Sequence, residues 1–144
     1  MERHKGNSLL EMLLVIAVSG ILIVLAIRYF SVVDLNMRVA HAISKIDILS
    51  RASYQWRDAQ RMKDFDNINI VDLTAAGLVS AVDVKNPWGG VIEVGPGSSH
   101  QHVQIHLKNI SKAACVSLTH HLAEIAFSQV TPQACAQGNY YGDF

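Results

Sequence analysis

With 144 residues, 50% of them apolar, and 12 basic side chains against 12 acidic ones, the chain has a formal charge of zero. That balance gives no electrostatic footprint for nucleic acid, and from Gln60 onward five basic side chains face seven acidic ones. The carboxyl-terminal part is therefore mildly acidic, and nonspecific DNA binding is not supported.

The first element begins after a short charged leader that ends in Lys5-Gly6. The apolar run from Leu9 to Ile27 is long enough to cross a hydrocarbon core as a helix. It is too long for a signal peptide, and Arg28-Tyr29-Phe30 follow it where a small-x-small cleavage site would stand. Arg3 and Lys5 favour a cytoplasmic amino end, although Arg28 and Arg38 beyond the run weaken that bias. The bulk of the chain is expected to be exported. One acid, Glu11, interrupts the run. A carboxylate inside a membrane helix costs several kcal/mol unless it has a partner, so Glu11 calls for a cation. The plain alternative is an acid at the membrane edge that reaches water.

The helix has reason to continue past the bilayer. No glycine or proline stands between Gly20 and Gly77. Leu35, Val39, Ala42, Ile46, Leu49 and Trp56 recur at spacings of three and four, with Ser53 in the one polar slot. One helix is predicted from about Ser8 to Asp58, roughly 75 Å long at helical rise, with its second half amphipathic and packed on a head. Met62 to Asn69 breaks the period and reads as a loop.

The roughly 85 residues that remain suffice for one modest domain that needs staples or partners. Val71 to Val79 reads as a short helix stopped by Gly77. Asn86-Pro87-Trp88-Gly89-Gly90 reads as a turn, because proline fixes one angle and glycine permits positive φ. Val91 to Val94 is a predicted strand, Gly95-Pro96-Gly97 a hairpin turn, and His102 to Ile110 its partner, with Val103, Ile105 and Leu107 on the inner face. A helix follows from about Lys112 to Phe127, with Cys115, Leu118, Leu122 and Ile125 on one side. The tail is expected to be mostly irregular, with room for one short strand. Cys115 and Cys135 have nineteen residues between them. In an oxidising compartment they read as one disulfide contributing about 3 kcal/mol; the alternative is two buried unpaired thiols.

Other residues invite a chemical reading. His100, His102 and His106 lie at even offsets, so on one strand they would share a face and could hold a metal, against the blander reading of a wet strand face. His120 and His121 diverge on a helix and make no ligand pair. Tyr140 and Tyr141 are candidates for a surface contact, or for packing on the head. Asn109-Ile110-Ser111 matches a glycosylation sequon that carries little weight here. No nucleophile elbow, P-loop or zinc protease motif occurs, so no enzyme, cofactor or metal site is expected.

Gly6, Glu11 five positions on and Gly20 nine beyond it, in a Leu/Ile/Val/Ala background, resemble the amino end of type IV pilins. The Asn86 to Gly90 turn and the Ser111 to Leu118 segment are similar to the type IVb branch, so the resemblance spans nearly the whole length. It implies the α+β type IV pilin fold: a long amino-terminal helix, membrane-spanning in its first half, on a small antiparallel sheet with a disulfide-closed carboxyl region. The division it implies is a leader at 1–6, a helix at 7–59 with a membrane and polymerisation segment at 8–27, and a head at 60–144.

The resemblance further implies cleavage by prepilin peptidase between Gly6 and Asn7, methylation of the Asn7 amine, and docking of Glu11 to a neighbouring subunit's amine. Partners implied are other copies or other pilins through the helix, the peptidase, and an inner-membrane assembly platform driven by a cytoplasmic ATPase. The precursor would lie in the inner membrane with its head in the periplasm, and the product at the cell surface in a pilus serving adhesion, aggregation or conjugation. Asn7 departs from the aromatic or apolar residue usual at the first mature position, the leader is shorter than the IVb habit, and the region after Cys135 is small. The nearer rivals are a minor pilin and a type II secretion pseudopilin. A single-span anchored binding module is the rival from another class.

Overall fold

The computed structural model describes residues 5–144, with residues 5–8 and 136 described by their backbone alone. The leader residues 1–4 lie outside the described residues. The first element, α1, runs Lys5–Ala59, and the chain divides into two compact units, Met1–Asn36 and Met37–Phe144.

In the first unit α1 presents its side chains to the surroundings on every side, Leu9 through Val32 included. In the second unit the helix turns one seam inward, as its period requires: Val39, Ala42, Ile46, Leu49, Ala52 and Trp56 are buried. Ser53 shares that seam and is equally buried, with its hydroxyl donating to the Leu49 carbonyl at 2.7 Å. A buried hydroxyl without a partner would be costly, and this i−4 bond satisfies it. The helix ends in a Schellman arrangement, with Met62 N–H donating to Arg57 O and Arg61 N–H to Asp58 O, both at 3.1 Å. Arg61 takes the left-handed conformation, φ +55°, that glycine usually occupies there. The Arg57 guanidinium lies over the rings of Tyr54 and Phe65, which pack edge to face.

Helix α2, Ile70–Ala75, is shorter than the sequence period implies. Asn69 caps it, accepting from Val71 N and Asp72 N, and Gly77 at φ +71° stops it. Four strands form one antiparallel sheet in the order β1-β2-β4-β3: β1 is Ile92–Pro96, β2 Val103–Lys108, β3 Ser128–Gln129 and β4 Asn139–Asp143. Val103, Ile105 and Leu107 are fully buried on the inner face, with Gln104, His106 and Lys108 on the other. Pro96 closes β1 opposite Val103 instead of making the turn. A proline is tolerated in this edge strand because it withholds no hydrogen bond from a neighbour on that side, and the connection is Gly97 to His102.

Two expectations need correction. The tail is more regular than expected: beyond the one short strand allowed for, it carries β3, a 3-10 turn and β4, and β4 lies inside the sheet, paired with β2 through Gln104↔Asp143 to Lys108↔Asn139 and with β3 on its other side. Helix α3, Lys112–His121, stops six residues short of the predicted end. Ser111 caps its start, and after Leu122 the chain turns away toward β3, leaving Ile125 68% exposed instead of on the inner side. Cys115 of α3 and Cys135 of a short 3-10 turn, Ala134–Gln137, form the disulfide, with Cα atoms 5.6 Å apart. The bridge closes the segment that carries β3 and delivers the chain to β4.

Candidate assembly helix and its head

Between Leu9 and Ile27 the chemistry is simple: an apolar cylinder with one acid. Glu11, Met12, Val15 and Ile16 line a shallow recess along α1, and all four are exposed. By length and composition α1 is apolar enough to cross a membrane, and none of its most apolar window is buried within the chain. A core helix of a soluble protein would have that surface covered by its own fold. Here lipid or other chains must cover it. The backbone at Gly6 and Asn7 lies in the first turns of α1, and their side chains lie outside what is described.

The second unit fixes its loops by side-chain clamps. At the Asn86 to Gly90 turn, Asn86 is buried; its Oδ1 accepts from Trp88 N at 2.9 Å and Gly90 N at 3.0 Å, while its Nδ2 donates to Lys108 O at 2.6 Å. Gly89 adopts φ +85°. Gly90 is needed for a different reason, since a Cβ there would collide with the Lys108 carbonyl oxygen. The turn is thus welded to β2.

Asp143, which sequence reasoning did not single out, is the second clamp. Its Oδ2 accepts from Ser98 N and Oγ at 3.1 and 2.6 Å, and its Oδ1 from Gln104 Nε2 at 3.0 Å. Burial by itself would raise the carboxyl, but these donors and the nearby His102 outweigh it and hold the pKa below the ordinary carboxylate value. Penultimate to Phe144 in β4, the residue ties the β1–β2 connection to the sheet. Phe144 in turn exchanges two backbone bonds with Val103 and accepts from Tyr54 Oη at 3.1 Å.

The three spaced histidines are not brought together. His100 sits in the connection at φ +58° beside Asp66, His102 stacks on Phe127 with centroids 4.2 Å apart, and only His106 belongs to β2. Among the described residues no group of three or more His, Cys, Asp or Glu is placed to hold a metal. His106 lies between Glu93 of β1, with Nδ1 3.7 Å from Oε2, and the Tyr141 ring of β4. Its Nε2 is buried without a hydrogen-bond partner. Burial lowers its pKa, and Lys108 adds to that while Glu93 opposes it. The two tyrosines separate as β4 alternation dictates. Tyr140 is fully buried, with its hydroxyl 3.0 Å from Gln129 Oε1, and Tyr141 is 43% exposed.

Comparison with known proteins adds to this geometry. A family model described as the prokaryotic N-terminal methylation motif matches residues 1–27, and one described as PilS N terminal matches residues 34–143. Among solved structures, the chain is similar to TcpA, a type IV pilin from Vibrio cholerae El Tor biotype, at 18% identity and a TM-score of 0.50. The match covers 62% of this chain and 59% of that one, so the chain spans under two thirds of the structure it resembles. Comparison with curated proteins gives no match.

Proposed function

The chain belongs to the PilS N-terminal family and has the type IV pilin fold, and from that premise we propose that it is a structural subunit of a type IVb-like pilus, polymerised through α1. Family and fold are those of structural subunits and not of enzymes. The observation that carries the reading is the run Leu9 to Ile27 of α1, apolar all round, exposed throughout and interrupted by one acid, Glu11, within the matched methylation motif.

In this reading prepilin peptidase cuts between Gly6 and Asn7 and the new Asn7 amine is methylated. While the precursor waits in the inner membrane with its head in the periplasm, lipid covers the helix. On assembly, neighbouring helices replace lipid. Little hydrophobic gain accompanies that exchange, because lipid tails are as apolar as leucine. Packing must therefore be supplemented by a polar contact, and Glu11 paired with a neighbour's amine supplies it in a setting of low dielectric. Assembly machinery in the membrane provides the work. Adhesion, aggregation or conjugation would be carried by the heads.

The test is intact-mass analysis of sheared surface material and of membranes, from wild type and from Gly6→Val and Glu11→Val strains. A chain starting at Asn7 and two hydrogens lighter than the reduced form, present in sheared fibres and heavier by one methyl, is expected. Gly6→Val should leave uncut chain in the membrane, and Glu11→Val should give cut chain without fibres. An uncut chain confined to membranes and indifferent to both changes would replace this reading with an anchored binding module.

A further inference from the structure

A cleft of about 500 Å³ opens in the second unit between α1 and the segment ahead of the Asn86 turn. His41 and Lys45 of α1 form one wall, with Val82, Lys85 and Pro87 opposite, and no acidic side chain is among its described lining. This is a local departure from a chain whose formal charge is zero. Arg38, His41 and Lys45 fall at i, i+3 and i+7, so they share one stripe of the helix.

Two cations of the stripe are held in place. Lys45 Nζ donates to Val82 O at 2.5 Å, which bridges the cleft at its floor, and Arg38 Nη1 donates to Pro87 O at 3.2 Å at its lip. An ammonium has three donors, so Lys45 retains two beyond that bond. Asp83, the acid nearest in sequence on the far wall, accepts at Oδ2 from Ser80 N and Oγ at 3.0 and 2.7 Å and also feels the Lys45 charge, so it offsets part of the cleft's positive charge without lining it. Lys45 is thereby fixed before a ligand arrives, which lowers its share of the ordering cost of binding.

We propose that this cleft binds a phosphate group. The lining supplies two lysines and a histidine from two walls, side chains that end in separate donors, which suits a tetrahedral anion with several oxygens. A planar carboxylate is better met by a guanidinium fork, and here Arg38 is engaged with the Pro87 carbonyl. The phosphate has two possible sources, a soluble phosphate compound or an anionic lipid headgroup. The inference is independent of polymerisation through α1.

The experiment uses the full chain in maltoside micelles, titrated with inorganic phosphate at constant ionic strength against chloride and followed by amide and side-chain NMR shifts. Saturable shifts confined to His41, Lys45 and residues 81–87 are expected. Lys85→Gln, which leaves the Lys45 to Val82 bridge in place, should weaken the response about tenfold, the loss of one charge-assisted hydrogen bond. Lys112→Gln removes the same charge from an exposed site on α3 and should leave it unchanged. Absence of saturation, indifference to Lys85→Gln, or an equal loss in Lys112→Gln each overturns the proposal. A second arm compares nanodiscs of phosphatidylglycerol with nanodiscs of phosphatidylcholine. Phosphatidylglycerol that shifts the same amides and blunts the response to inorganic phosphate assigns the headgroup as ligand, and an unaltered response assigns a soluble phosphate.

Discussion

Residues 9–32 and residues 39–56 belong to one helix, yet every described side chain of the first stretch is exposed, while the second buries seven. Apolarity alone does not produce a core. The second stretch is the more polar of the two, but its apolar residues repeat on one stripe and are buried within the second unit. The first is apolar on all sides, a surface that one small head cannot cover. The comparison teaches that the part of α1 that folds the head is distinct from the part to which we assign assembly, and that substitutions should separate them.

The widest separation is expected from a pair of leucines. Leu49→Ala removes a fully buried side chain and should destabilise the head by about 2–5 kcal/mol, because the cavity left behind adds to the lost burial. Leu22→Ala, on the exposed stretch, should leave head stability unchanged. Both tryptophans, Trp56 and Trp88, lie in the second unit, so their emission during denaturation of the full chain in maltoside reports the head alone. A head destabilised by Leu22→Ala would break the comparison. The disulfide comes next. Cys115→Ser with Cys135→Ser should cost about 3 kcal/mol by the loop-closure argument, lowering the denaturation midpoint while the chain remains inserted in membranes.

A smaller effect is expected at the Asn86 turn. Asn86→Ala leaves the Trp88 and Gly90 amides and the Lys108 carbonyl without their shared partner. The cost should be about 1–3 kcal/mol for each such group that water cannot reach. Hydrogen exchange should show Gly90 N–H losing protection before the amides of β2. Equal loss across the sheet would mean that the turn and the strand unfold as one unit.

The same contrast explains what could be read in advance. The seam from Val39 to Trp56 was legible because a helical period with no breaker leaves little choice, and the Asn86 turn because proline and glycine are local signals. Strand β4 was hidden: in Asn-Tyr-Tyr-Gly-Asp the strand preference of two tyrosines is set against Asn, Gly and Asp, and its place between β2 and β3 depends on pairing that is distant in sequence. Helix α3 was drawn too long because Leu118, Leu122 and Ile125 continue a helical period past the point where the chain turns. The histidine offsets misled because His100 is left-handed and His102 precedes the strand. Asp143 left no signal, since a lone acid near a glycine reads as a turn residue. Glu11 was conspicuous because a carboxylate in an apolar run is a local contradiction that needs no tertiary knowledge.

The smallest expected effects are those of pH, and they should be confined to the head. His106 has its pKa lowered from 6.5, chiefly by burial, so the unfolded chain binds the proton more readily than the folded one. Stability from this group is complete above about 6.5 and is lost as pH falls from there through the folded value. Asp143 is also lowered, from 3.8, so its contribution persists at mild acidity and declines only as pH falls below about 3.8. The two windows do not coincide. Denaturation midpoints measured from pH 8 to pH 3 should therefore fall in two steps, with His106→Gln removing the upper step and Asp143→Asn the lower. Because Asp143 joins Ser98 to Gln104, Asp143→Asn should also lower stability at neutral pH, whereas His106→Gln, which replaces an imidazole whose Nε2 has no partner, should leave it nearly unchanged. A single step that survives both substitutions would place the acid sensitivity elsewhere in the head and remove these two groups as its source.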